Sequence, residues 1–134
     1  MSEKLASIEK KGGGKMSETT LWTNPSPTST MARTEVTLSD SIANYDYIKV
    51  STKPTASDAD PTHITSFYIS VDDFRKTGTL NSTISVQSYM SSTTYVRRVY
   101  YMTDTTVKIY ESSKLGGTGT SNDGAIPLEI VGLK

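Results

Sequence analysis

Apolar residues recur at every second position through most of this chain. In "RTEVTL" (33–38), Val36 and Leu38 alternate with Glu35 and Thr37. In "DYIKV" (46–50), Ile48 and Val50 fall on one face and Tyr47 and Lys49 on the other. In "ITSFYISV" (64–71), Phe67, Ile69 and Val71 alternate with Ser66, Tyr68 and Ser70. A period of two is that of a strand with one buried face. "ETTLW" (18–22), "STISVQSYM" (82–90), "TTYVRRVYYM" (93–102), "TTVKIYES" (105–112) and "AIPLEIVGL" (125–133) read the same way, with Ile84, Val86 and Met90, then Val107 and Ile109, then Ile126, Leu128 and Ile130 sharing faces. Pro127 in the last run predicts an edge strand or a strand start. The polar stretches between these runs carry Pro, Gly, Asn and Asp, which break strands. Together they predict about eight short strands in an all-β fold, an antiparallel β-sandwich or jelly roll. "DDFRKTGTL" (72–80) reads either as one helical turn or as a connection.

The N-terminal segment follows another pattern. Leu5 and Ile8 sit at i, i+3 among Glu and Lys, one face of a helix. Two apolar positions do not hold an isolated helix in water, so residues 1–15 read as a frayed tail or as the end of a coiled-coil stem. Gly12, Gly13 and Gly14 end any helix and form a joint. The expected division is a tail over 1–15 and a β-domain over 16–134.

Composition sharpens this. The chain has 134 residues, a length that suits one domain, yet only 34% are hydrophobic. Such a polar chain would read as disordered if it carried a large net charge. Its 14 basic and 14 acidic residues cancel instead, and Thr, Tyr, Val and Ile are strand formers. Charge balance argues against a nucleic-acid partner held by counterion release and against a polybasic membrane contact. With no cysteine there is no disulfide framework and no thiolate metal site, which favours assembly in a reducing cytoplasm. No run is long and apolar enough to insert in a membrane as a helix, and "MSEKLASIEKK" lacks the apolar core of a signal peptide.

Candidate chemistry is sparse. His63, the one histidine, shares a Pro-containing loop with Asp58 and Asp60, without a nucleophile elbow. The same acids with Asp72 and Asp73 lack the spacing of a calcium loop. "LGGTGTS" (115–121) lacks the lysine and hydroxyl of a phosphate loop. Asn81 opens a glycosylation sequon that matters only on a secretory route. The expectation is therefore no catalytic residue, no metal and no cofactor. Tyrosines are the more informative class. Tyr95, Arg97, Val99 and Tyr101 share one face of a predicted strand. Tyr95, Arg97 and Tyr101 could form a shelf for sugar C–H groups and hydroxyls. The plainer alternative is that they cover sheet surface or pack between subunits.

Read in order, "TTLWTNPSPTSTM", "VTLSDSIANYDYIKV", "VRRVYYMTDTTVKIY", a Gly/Asn-rich loop and a terminal "IPLEIVGLK" resemble a small β-domain of tailed-phage and prophage virion proteins, found in tail fibres and related appendages. The resemblance rests on Leu-Trp-x-Asn near a Pro, an L…Y-x-x-I-x-V segment and a closing I-P-L-x-I-x-G, and it covers residues 19–134. It implies a virion protein assembled in the host cytoplasm, a homotrimer in contact with other virion proteins, with host-surface glycan as a partner. It transfers no catalytic residue. A polysaccharide-degrading spike and a capsid or baseplate connector without receptor binding are the alternatives. In this frame Trp22, the one tryptophan, would anchor the stem-side end of the sandwich.

Overall fold

A computed structural model of the chain describes residues 16–57, 63–75, 82–91, 94–114 and 119–134. The expectations for the tail, Asp58, Asp60, Asn81 and residues 115–118 lie outside them.

The described residues form two antiparallel sheets that enclose one core, an antiparallel β-sandwich. The strands are β1 (Glu18–Thr23), β2 (Thr34–Thr37), β3 (Tyr47–Lys53), β4 (Thr65–Ser70), β5 (Ser82–Ser91), β6 (Thr94–Met102), β7 (Thr106–Lys114), β8 (Thr120–Ser121) and β9 (Ile126–Leu133). A one-turn helix, α1 (Val71–Arg75), follows β4, so the segment opening at Asp72 begins as a helical turn. The first sheet has the order β1-β9-β3-β4 and the second β2-β7-β6-β5, with β8 beside β7.

The period-two residues line the interior. Ile48, Val50, Val107, Ile109 and Ile130 are 1% exposed or less. Phe67, Ile69 and Ile84 pack partly buried against them. At 25–30 cal/mol per Å² of apolar area, each fully buried side chain of this kind stabilises the fold by about 1.5–3 kcal/mol. The side chain of Met90 lies outside the description.

Of the two readings of Pro127, the strand start holds and the edge strand does not: β9 lies between β1 and β3, in the middle of its sheet. The proline is tolerated because it is the second residue of the strand, next to an irregularity where the pairing with β3 passes from Ser51↔Glu129 to Thr52↔Pro127. The same bulge breaks the expected alternation of Ile126, Leu128 and Ile130. Ile126 and Ile130 are fully buried, whereas Leu128, skipped in the pairing, is only half-buried.

Other bulges keep the inward faces aligned. Between Arg98↔Ser112 and Tyr100↔Ile109, β7 contributes one residue more than β6. Val107 and Ile109 point inward before this step and Ser112 after it. In β1 the pairing skips Leu21, which is 2% exposed and part of the core, while its neighbour Trp22 packs partly buried against the same core.

Candidate binding face

The second sheet turns one face to the core and the other to solvent, and β6 shows the division. Val96, Arg98, Tyr100 and Met102 are buried, 2% exposed or less, and alternate with Tyr95, Arg97, Val99 and Tyr101. The three expected site residues therefore share the outer face. Tyr95 is 48% exposed, Arg97 is exposed and Tyr101 is half-buried. They form a row rather than a pocket. Tyr95 and Arg97 are two residues apart, about 7 Å along the strand, and Tyr101 lies four residues beyond Arg97, about 13 Å.

Neighbouring strands widen the row. Gln87 of β5 and Ser113 of β7 stand opposite Arg97, whose Nε donates to Ser113 Oγ at 3.4 Å. Thr83 and Lys108 stand opposite Tyr101, and the Lys108 ammonium lies 6.0 Å from the Tyr101 ring centre. Glu35 of β2 pairs with Lys108 in register. Nearby, the Arg33 guanidinium sits 4.5 Å from the Tyr110 ring centre. It donates to Glu111 Oε1 from Nε at 3.2 Å and from Nη2 at 2.9 Å. These bonds hold the Glu111 carboxyl below its ordinary pKa.

The sequence reading missed Arg98, the neighbour of Arg97. Its side chain is fully buried and donates to four carbonyls: Gly124 from Nε at 2.7 Å, Met31 and Tyr110 from Nη1 at 2.8 and 3.1 Å, and Asn122 from Nη2 at 2.8 Å. Burial pulls its pKa down, and the carbonyls replace the water that the cation lost. It ties the loops at Met31 and at Asn122–Gly124 to the back of the sheet. Its signal was the alternation itself, which assigns Arg98 the parity of Val96 and Tyr100.

There are also clefts among the described residues. One of about 320 Å³ adjoins this face through Ser113 and is lined further by Val96, Ser112, Lys114, Thr120 and Asp123. A second, of about 470 Å³, lies among Tyr45, Tyr47, Ser70, Asp72 and Arg75. A third, of about 290 Å³, borders it through Tyr45 and includes Asp40, Asn44 and Lys134. His63 is half-buried, and Asp72 and Asp73 are exposed on α1. Among the described residues no three His, Cys, Asp or Glu side chains gather as metal ligands.

The stretches singled out in the sequence converge in the first sheet. The opening "LWTN" and the closing "IPLEIVG" lie on β1 and β9 and at their junction. Asn24, 4% exposed, donates from Nδ2 to the Pro127 carbonyl at 2.8 Å and from its backbone N–H to the Leu128 carbonyl at 2.9 Å. Its Oδ1 accepts from the N–H of Ser26 at 2.8 Å, turning the chain into the Pro-Ser-Pro run. Tyr45 lies over Gly132, where an added Cβ would come within 2.6 Å of its ring. Ile48 and Val50 pair with Gly132 and Ile130. These residues are thus a packing unit. No protein-family model matches the chain, and no curated protein is significantly similar to it.

Proposed function

We propose that this chain is a virion domain of a tailed phage, of the fibre or appendage type, that touches host-surface glycan through the outer face of the second sheet and performs no catalysis. The observation that carries the reading is the division of labour between the sheets. The residues of the resemblance (Leu21, Asn24, Tyr45, Pro127, Gly132) interlock in the first sheet, as a fold signature should. The second sheet offers Tyr95, Arg97 and Tyr101 to solvent. Tyrosine faces and guanidinium donors suit sugars, and weak contacts of this kind gain strength when copies act together. In this reading the domain is a homotrimer that joins other virion proteins.

The test is adsorption. Replacing Tyr95, Arg97 and Tyr101 together by Ala should reduce binding to host cells while leaving the circular dichroism spectrum and melting temperature nearly unchanged. Wild-type protein that adsorbs to no envelope fraction would favour a connector within the virion. Release of reducing ends from a host polysaccharide would overturn the absence of catalysis.

A further inference from the structure

The two outer faces of the sandwich treat their cations differently. On the first sheet, the Lys49 ammonium lies between two carboxylates, 3.9 Å from Glu18 and 4.0 Å from Glu129. Its side chain is only 18% exposed. That cation is flanked by two acids. On the second sheet, Arg33 is likewise matched by Glu111 at 2.9 Å. Arg97 is not: among the described residues its guanidinium has no ion pair, and its one bond is the long contact from Nε to Ser113 Oγ. The registered neighbours of Arg97 are Gln87 and Ser113, both neutral. The nearest acid along β7, Glu111, is already held by Arg33. Glu35 stands across from Lys108, level with Tyr101 and about 13 Å along the sheet from Arg97.

We infer that the Arg97 end of this face binds an acidic sugar, a uronic acid residue within a polysaccharide, with the Arg97 guanidinium on its carboxylate. This rests on the reading of the outer face as a glycan surface. A guanidinium presents a planar fork that matches a carboxylate through two parallel N–H···O bonds. With Nε turned to Ser113, neither terminal nitrogen has a hydrogen bond among the described residues. Tyr95, one strand repeat away and half exposed, offers a ring to the sugar's C–H face. Gln87 and Ser113 flank the guanidinium with amide and hydroxyl groups for the ring hydroxyls. The Lys108–Tyr101 pair is a second cation and ring on the same face, a few sugar units further along an extended polymer.

The experiment is biolayer interferometry with the full chain at high surface density against polygalacturonate, alginate and hyaluronate, each beside its carboxyl-reduced form. At least one acidic polymer should bind, and its reduced form should bind at least about tenfold more weakly, the factor expected on losing a charge-assisted hydrogen bond. Arg97→Gln should weaken the acidic polymer to a similar degree. Arg97→Lys, which keeps the charge and loses the fork, should restore only part of the binding. Lys49→Gln changes net charge equally on the opposite face and should bind as the wild type does. If reduced polymers bind as well as acidic ones and Arg97→Gln is silent, the acidic class is wrong while the glycan face stands. If Lys49→Gln weakens binding as much as Arg97→Gln, overall charge is responsible and the assigned site is wrong. If no polymer of either kind binds, both the inference and the glycan reading fail.

Discussion

Two adjacent arginines show how far the environment of a single residue can depart from its type. Arg97 and Arg98 differ in sequence only by parity, yet one meets solvent and the other four carbonyls in the interior. Lysine has three donors and no planar fork, so Arg98→Lys must lose at least one of the four bonds. The expected loss is about 2–3 kcal/mol, read as a lower urea midpoint with an unchanged slope. Asp40 offers a second test at this scale. Its carboxylate accepts from the Tyr45 hydroxyl at 2.8 Å, the Ser41 N–H at 2.8 Å and Asn44 Nδ2 at 2.9 Å. These bonds, that from Tyr45 foremost, lower its pKa in the folded state. A depressed carboxylate pKa contributes stability that is full above the unfolded value, about 3.9, and is lost as pH falls through the folded value. Asp40→Asn should therefore flatten the fall of melting temperature below about pH 4. An acid limb as steep as that of the wild type would show that Asp40 does not contribute to it.

At the level of elements, β9 holds the first sheet together. It pairs with β1 on one side and β3 on the other, and its Gly132 receives the Tyr45 ring. Tyr45 is delivered there by a 3-10 turn, Ile42–Asn44, whose Ser41 side chain caps the N–H of Ala43. Gly132→Ala would set a methyl carbon 2.6 Å from the Tyr45 ring atoms. The ring cannot move without disturbing its hydroxyl bond to Asp40 or the packing of Ile42. Overpacking of this kind costs about 1–3 kcal/mol, so the melting temperature should drop by several degrees. The double variant Gly132→Ala/Tyr45→Leu should recover part of the loss by removing the clash, and an unaltered melting temperature in Gly132→Ala alone would contradict the contact.

For the whole molecule, self-association is the consequential expectation. A chain with 34% hydrophobic residues has little apolar surface for a large private core. Its outer faces carry tyrosines of the kind enriched at interfaces. The fibre reading adds three-fold symmetry. Light scattering on the full chain at tens of micromolar should give three times the chain mass. A monomer there would remove the avidity on which weak glycan contacts depend. Deleting residues 1–15 tests whether the tail holds the copies together. The domain's melting temperature should stay nearly the same, because two apolar side chains beyond three glycines contribute little to it.

Most of the strands were legible in the sequence because inward and outward positions alternate, and burying one face requires a period of two. That parity already assigned Tyr95, Arg97 and Tyr101 to one face and Arg98 to the other. The short β8 and the capped turn before Tyr45 left no such trace, since two or three residues are too few to show a period. Sequence alone also could not order the strands. Pro127 reads locally as an edge strand or a strand start, because it has no N–H to donate, and only the fold chose the second, with β9 central and the proline at its start beside a bulge. Whether Arg98 would find carbonyls at Met31, Asn122 and Gly124 depended on loops distant in the chain closing around it. Local pattern determined which way each side chain faces; only long-range closure decided what it meets there, because those partners are brought together by folding and not by spacing.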